Sequence, residues 1–194
     1  MSSKFFFFLF FIIASSAGLP YTLEIMASDD SIVITNHVKP DQVSLGKLSR
    51  LYIPKINTSA SIEYIGLLAN GELDVPKSHV NVAWFKQGPY PGQQGNAVII
   101  GHSGWINRTP AVFDDLDKLR KGDKIYISND KGLKDTFIIK ELRTYSEKEA
   151  VSSVFVSRDK KAHLVLITCV GDWDKINQKY SNRLVVFADR EARG

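Results

Sequence analysis

Ala162–Cys169 reads Ala-His-Leu-Val-Leu-Ile-Thr-Cys, an apolar run that ends in the only cysteine of the chain. Two other apolar runs carry a charged or titratable side chain at one end. Asn96–His102 reads Asn-Ala-Val-Ile-Ile-Gly-His, and Arg183–Ala188 reads Arg-Leu-Val-Val-Phe-Ala. Short runs of this composition predict buried strands. We therefore expect a thiol, an imidazole and a guanidinium at or beside the ends of three strands, where rigid elements fix their positions.

The chain after residue 50 predicts strands more often than helices. The predicted strands, separated by Gly, Asn, Asp or Pro, are Leu51–Ile56, Ser61–Leu67, Asn96–Gly101, Asp123–Ser128, Asp135–Tyr145, Ala162–Thr168 and Arg183–Ala188. The turn residues Asn129–Gly132 predict a hairpin. Helices are predicted at Pro110–Leu119, where apolar residues recur on one face, and at Ser146–Val151, which opens with a capping box. Seven or more short strands predict a barrel or a sandwich.

The N-terminus carries an apolar segment. Lys4 precedes it, and no charged residue occurs from Phe5 to Leu23. At about 1.5 Å per residue, a helix of that length spans roughly 29 Å, close to the hydrocarbon core of a bilayer. The segment predicts a single-pass anchor with the rest of the chain outside, or alternatively a cleaved signal peptide and a secreted protein. We assign residues 1–27 to this segment, 28–50 to a linker or stalk and 51–190 to one globular domain.

Cys169 has three candidate roles. A single cysteine in an exported chain cannot form an internal disulfide, so it is an inert buried thiol, an intermolecular cross-link or a reactive nucleophile. Thr168 before it and Gly171 after it favour a strand end that faces solvent. His102 and Arg183 are the cations available to favour the thiolate, which is the form that attacks a carbonyl. His163 lies six residues before Cys169, so alternation places both on one face, and we expect this histidine to be structural or exposed at the rim.

The residues around these groups resemble those of bacterial sortases, the transpeptidases that attach proteins to the cell surface. The similar stretches are Ile100–His102, Leu166–Cys169, Ser181–Val186, Tyr52–Ile56, Pro89–Asn96, Phe113–Leu119 and Gly122–Asp123. The resemblance extends from about Leu51 to Asp189 and is greatest to the class F and class E branches. The family's usual Thr-Leu-x-Thr-Cys has a valine, Val165, in place of its first threonine here.

The resemblance implies a mostly β fold, a closed eight-stranded barrel with one or two short helices. It also implies that residues 51–190 form a catalytic domain that cleaves a Leu-Pro-x-Thr-Gly-like sorting motif through a thioacyl enzyme. Cys169 would be the nucleophile, His102 the general acid and base, and Arg183 the residue that stabilises the oxyanion or holds the peptide carbonyls. Thr168 and Trp173, near the nucleophile in sequence, are expected to contact the substrate.

The implied partners are surface proteins with a C-terminal sorting signal and an amine acceptor in the cell wall or on a pilin. The implied location is the bacterial cell membrane, with the catalytic domain outside. We expect no cofactor or metal, because the histidines lack ligand spacing; they are His37, His79, His102 and His163. The net charge of +4 does not indicate nucleic-acid binding, because the basic pairs Arg120-Lys121 and Lys160-Lys161 are isolated.

Two other functions are considered. A non-catalytic surface barrel that binds a peptide or cell-wall component would keep Cys169 as a packing residue. An L,D-transpeptidase would carry a His-Gly-Cys sequence at its nucleophile, and Thr168-Cys169-Val170 differs from it. Alkylation by iodoacetamide at mildly acidic pH separates the first alternative from an enzyme, because a thiolate reacts fast and a buried thiol does not.

Overall fold

The computed structural model describes residues 24–28, 31–35, 45–69, 71–104, 109–146, 149, 154–174 and 179–192 of the 194-residue chain. The backbone divides into two compact units, Met1–Ser44 and Leu45–Gly194. In the first unit, β1 (Glu24–Ser28) and β2 (Ser31–Thr35) pair antiparallel. These strands lie where the sequence predicts the end of the hydrophobic segment and the start of a linker.

The second unit contains eight strands that close into a barrel. They are β3 (Leu48–Ile53), β4 (Thr58–Ile65), β5 (Val82–Phe85), β6 (Gly95–Gly101), β7 (Lys124–Asn129), β8 (Lys134–Ser146), β9 (Ala162–Asp174) and β10 (Lys179–Arg190). Around the barrel the order is β10-β8-β7-β3-β4-β5-β6-β9, and β9 pairs with β10 to close it. The predicted fold class, a mostly β closed barrel of eight strands, is confirmed.

Two of the eight strand pairs are parallel, β4 with β5 and β6 with β9. In the second pair Gly95 lies opposite Ala162 and Ile100 opposite Ile167. Parallel strands end at the same edge of a sheet, so the residues that follow β6 lie beside the later part of β9. Because β10 runs antiparallel to β9, its early residues reach this same edge.

The barrel wall has two apolar faces. Even-numbered residues of β9, such as Leu164 and Leu166, are fully buried in the main cluster, which draws members from all eight strands and fills the barrel interior. Odd-numbered residues of β9, such as Val165, belong to a second cluster on the outer face of the wall. There Val165 packs with Val98 of β6, Val185 of β10 and Val154. The period of two in strands explains why one strand supplies both clusters.

The segment predicted as a helix over Pro110–Leu119 contains less helix than expected. It forms turns and one short 3-10 turn, Leu116–Lys118. Its apolar residues are nonetheless buried as predicted, since Phe113, Leu116 and Leu119 join the interior cluster. These residues have helical spacing although a series of turns, and not a helix, places them in the barrel interior. The second predicted helix, Ser146–Val151, lies largely outside the described residues.

Two further details differ from the sequence prediction. The first barrel strand is Leu48–Ile53, and Pro54–Ile56 forms a 3-10 turn instead of extending it. β5 was not predicted, because four residues are too few to show a period. The hairpin predicted at Asn129–Gly132 is present and joins β7 to β8. In the part of the chain that the structure describes, no helix has the length and apolarity needed to cross a membrane.

Candidate functional site

Cys169 lies between His102 and Arg183 in a row that crosses three neighbouring strands. Arg183 of β10 is the direct cross-strand partner of Cys169 of β9. On the other side, the parallel register that pairs Ile100 with Ile167 places His102 beside Cys169 when it is continued by two residues. Ile100 and Ile167 both pack on the outer cluster, so this row lies on the outer face of the wall. The structure therefore brings together the three residues that the sequence placed at strand ends.

Two side-chain hydrogen bonds tie β9 to the end of β6. Thr168 is buried, and its Oγ1 donates to the carbonyl oxygen of Gly101 at 2.8 Å. Ser103 Oγ donates to the carbonyl oxygen of Cys169. These bonds flank His102 and Cys169 on both sides, so they fix the separation of the two backbones at the site.

The loop that begins with His102 is held from several directions. His102 Nε2 lies 2.8 Å from the carbonyl oxygen of Pro76, and its own carbonyl accepts a bond from the Phe113 amide at 3.0 Å. The Gly104 amide donates to Asp114 Oδ1 at 2.6 Å. Gly104 has φ of +92°, and a Cβ there would lie 2.5 Å from the Tyr180 hydroxyl. Hydrogen bonds and close packing thus hold the backbone of His102–Gly104, and with it the imidazole, in place.

Arg183 is held by backbone carbonyls. Its Nη1 donates to the carbonyl oxygens of Tyr180 at 2.9 Å and Asn182 at 3.0 Å. Among the described residues it forms no ion pair with a carboxylate. A guanidinium has five N–H donors, so these two bonds orient the group without using all of its donors.

A β-bulge follows the thiol. Asn182 pairs with Val170 and Tyr180 with Trp173, so Ser181 faces two residues of β9. Gly171, one of those two, has φ of +89°, and a Cβ there would lie 2.5 Å from Ser181 Oγ. Bulges redirect the side chains that follow them. Here the bulge precedes Trp173, which is 49% exposed and packs edge-on against the Tyr180 ring at 5.0 Å.

The two residues predicted to contact substrate have different environments. Trp173 is exposed next to the row and presents a large ring surface to solvent. Thr168 is 1% exposed and points into the barrel, where its hydroxyl bonds to Gly101. Since this exposure covers the whole residue, which also pairs with Leu184 of β10, Thr168 offers no free surface to a ligand on the outer face.

A second polar cluster occupies the opposite end of β9. His163 Nδ1 lies 2.8 Å from Asp189 Oδ1, and its Nε2 lies 2.7 Å from Asp159 Oδ1. The pKa of Asp159 is lowered to about 2, mainly by the hydrogen bond with His163 and then by bonds from Ser157 Oγ and the Lys161 amide. This cluster borders an open cleft of about 720 Å³. Both ring nitrogens of His163 therefore have a carboxylate partner, at the rim of this cleft.

No metal site stands out in the described ranges. Within them, no three His, Cys, Asp or Glu side chains lie close enough together to hold an ion. His163 has its two carboxylates on opposite ring nitrogens, which is a hydrogen-bonding arrangement and not a shared coordination sphere.

Several residues around the row were not identified from the sequence. Pro76, Ser103 and Asp114 bond to His102, Cys169 and Gly104 respectively. Ser103 and Gly104 directly follow the histidine, which is a weak sequence signal for a turn. Pro76 has no such signal, because its contact depends on a loop that returns to the site from 26 residues away.

Comparison with known proteins settles the family. The sequence model of the sortase domain matches residues 51–191, which is more than half of the chain. The chain belongs to the sortase family. Sortases are cysteine transpeptidases of the cell surface, and the one cysteine of this sortase is Cys169. The non-catalytic alternative is therefore not retained.

Solved sortase structures share the fold of this sortase. Sortase C-1 of Actinomyces oris is 24% identical, with a TM-score of 0.59 over 74% of this chain and 73% of that one. Sortase A of Corynebacterium diphtheriae is 22% identical, with a TM-score of 0.59 over 76% of this chain and 62% of that one. Sortase C1 of Streptococcus agalactiae is 25% identical, with a TM-score of 0.57 over 74% and 67%. These are class C and class A enzymes, so they do not confirm class F or E. A comparison with curated proteins gives no match.

Proposed function

We propose that this sortase cleaves a Leu-Pro-x-Thr-Gly-like sorting motif and transfers the attached protein to an amine acceptor at the cell surface. The observation that carries the proposal is the row His102–Cys169–Arg183 on adjacent strands of the barrel wall. A nucleophile between a titratable imidazole and a permanent cation is the arrangement that acyl transfer by a thiol needs.

The reaction divides into two acyl transfers. The Cys169 thiolate attacks the carbonyl carbon of the threonine in the motif, and the tetrahedral intermediate collapses with cleavage of the peptide bond. His102 donates the proton that the leaving amine needs. An acceptor amine then attacks the thioester, His102 removes its proton, and the thiolate of Cys169 is released. The first transfer leaves Cys169 acylated and His102 without the donated proton, and the second restores both, so the two steps together need no further reactant.

Arg183 is assigned to the oxygen that becomes negative in the intermediate. Two carbonyls already orient its Nη1, which leaves other N–H groups to meet an oxyanion or a peptide carbonyl. The absence of a bonded carboxylate among the described residues supports this assignment, because a guanidinium paired with a carboxylate would be weaker at an oxyanion.

Trp173 is proposed to contact the peptide with its exposed ring, beyond the bulge at Gly171. Thr168 is proposed to support substrate binding by fixing the end of β6 beside the row, through the bond of its hydroxyl to the Gly101 carbonyl. The residues Gly95–His102 and the compact connections resemble those of class F and class E sortases, and they support the proposal that this sortase belongs to one of these classes. The location of Cys169 on the outer face of the wall leaves it accessible to an extended peptide.

The N-terminal assignments remain part of the proposal. We propose that Phe5–Leu23 anchors the enzyme in the membrane, that residues 28–50 form a linker or stalk and that residues 51–190 are the catalytic domain outside. Partners would then be surface proteins with a C-terminal sorting signal and an amine of the wall or a pilin. A chain that begins near Leu45, where the second compact unit starts, should keep full activity on soluble peptides.

Intact-mass measurement of a trapped acyl enzyme tests the function. The full-length enzyme is mixed with a library of Leu-Pro-x-Thr-Gly-like peptides and quenched with acid. We expect a mass increase equal to the peptide portion up to threonine, located on Cys169 and lost with hydroxylamine. Absence of any adduct across the library, in enzyme whose Cys169 still reacts with iodoacetamide, would contradict the proposed substrate class.

A further inference from the structure

The hydrogen bond between His102 and Pro76 determines which ring nitrogen carries a proton. A carbonyl oxygen only accepts hydrogen bonds, so His102 Nε2, 2.8 Å from the Pro76 oxygen, must be the donor. The neutral ring is then protonated at Nε2, and Nδ1 is the atom with a lone pair. The hydrogen bond from Nε2 to Pro76 thus leaves Nδ1 as the nitrogen that can accept a proton.

The position of the Pro76 carbonyl depends on a short segment, Pro76–Asn81, that leads into β5. Pro76 is buried at the start of this segment. Glu63 of β4 binds the segment through both carboxylate oxygens. Oε2 accepts from the Lys77 amide at 2.8 Å, and Oε1 accepts from the Ser78 amide at 3.3 Å and from Asn81 Nδ2 at 2.9 Å.

The surroundings of Glu63 favour its ionised form. Burial alone would raise its pKa, but the bonds from the Lys77 amide, the Asn81 side chain and the Ser78 amide outweigh burial and lower it below the usual 4.5. A carboxylate that accepts three bonds is an anchor that an amide cannot replace, because an amide side chain has only one acceptor oxygen.

We propose that Glu63 is a positioning residue that holds the Pro76 carbonyl against His102 Nε2, so that Nδ1 is the atom that exchanges protons with the substrate amines. This inference rests on the proposed role of His102 as general acid and base. The Lys77 amide that Glu63 binds directly follows the Pro76 carbonyl in the same peptide unit. Planarity of that unit therefore couples the carboxylate in β4 to the imidazole ring.

The tautomer of His102 is the direct test. Full-length enzyme labelled with ¹⁵N-histidine, purified in detergent micelles, is measured by long-range ¹H–¹⁵N correlation at a pH where the ring is neutral. His102→Gln assigns the signal. We expect an Nε2–H pattern for His102. An Nδ1–H pattern, or an equal mixture of tautomers, would overturn the proposal.

Substitution of the anchor is the second test. We expect Glu63→Gln to lower kcat by about tenfold to a hundredfold with little change in KM, as for a misplaced catalytic group, and to give a mixed His102 tautomer. Asp74→Asn is the matched control, because Asp74 lies in the same connection and its side chain accepts a bond from the neighbouring Val75 amide. Unchanged kcat and an unchanged tautomer in Glu63→Gln would refute the positioning role.

Asn81→Ala covers the case in which Glu63→Gln does not fold. It removes only one of the three bonds, so a smaller fall in kcat with unchanged thermal stability is expected, and an unchanged kcat would count against the proposal.

The catalytic role of His102 and the positioning role of Glu63 would fail with different results. If His102 is not catalytic, the wild-type enzyme still shows the Nε2–H tautomer. Glu63→Gln then changes the tautomer without changing acyl-enzyme formation. If only the positioning role is wrong, His102→Ala is inactive while Glu63→Gln is fully active.

Discussion

The two ends of β9 carry two different polar clusters, a hydrogen-bonded group around His163 and the row around Cys169 that is proposed to be catalytic. Near its beginning, both ring nitrogens of His163 meet carboxylates, and Asp189 also lies 3.4 Å from Lys140. Six residues later on the same face, Cys169 lies beside a histidine and an arginine that are held by backbone carbonyls. Charged groups that neutralise each other stabilise a surface, whereas groups oriented only by neutral carbonyls keep their charge for a ligand.

Substitution at the two ends should separate these roles most strongly. Cys169→Ala is expected to abolish acyl-enzyme formation and turnover, because no other thiol is present in the chain. His163→Ala is expected to keep turnover within about twofold and to lower the thermal midpoint by about 2–4 °C. Peptide cleavage and thermal unfolding of both variants provide the measurement. Wild-type turnover in Cys169→Ala, or loss of turnover in a folded His163→Ala, would reverse the assignment of the two ends.

The shape of the cation should matter at the reactive end. We expect His102→Ala and Arg183→Ala each to reduce the rate by about two to four orders of magnitude. Arg183→Lys should remain far below wild type, since an ammonium cannot bond to Tyr180 and Asn182 and also face an oxyanion in the same geometry. Near-normal turnover in Arg183→Lys would show that Arg183 contributes charge alone.

The backbone at the end of β6 should tolerate no added side chain. In Gly101→Ala the new Cβ would lie 2.6 Å from Phe113 Cε2 and 2.8 Å from Val112 Cγ1. We expect a loss of about 1–3 kcal/mol in the free energy of unfolding and slower turnover, because Gly101 also accepts the Thr168 bond. Gly66→Ala is the control, since its Cβ would meet nothing closer than 3.4 Å. Equal denaturation midpoints for the two variants would contradict this packing constraint.

The smallest effect is expected in the pH dependence of the His163 end. Because the pKa of Asp159 is lowered to about 2 from 3.8, its stabilising contribution is complete above pH 3.8 and is lost as the pH falls towards 2. The thermal midpoints of wild type and Asp159→Asn should therefore differ at pH 5 and converge near pH 2. A difference as large at pH 2 as at pH 5 would mean that it does not arise from the carboxylate charge of Asp159.

The apolar runs of β6, β9 and β10 predicted strands with His102, Cys169 and Arg183 at or beside their ends. They left a barrel and a sandwich open, and the closed eight-stranded barrel was implied by the resemblance to sortases. Local patterns failed where a short element depends on its neighbours. β5 has only four residues, and Pro110–Leu119 has helical spacing because its apolar residues enter the barrel from a series of turns. The contacts of Pro76 and Ser103 join segments 26 and 66 residues apart, which no local pattern encodes.

The pairing order of β9 also determines when the thiol acquires its neighbours. β6, which leads to His102, precedes β9 in the chain, whereas Arg183 belongs to β10, the final strand described. A chain folding from its N-terminus therefore places Cys169 beside the imidazole before the guanidinium is available. Among the described strands, β10 is therefore both the one that closes the barrel against β9 and the one that completes the row beside Cys169.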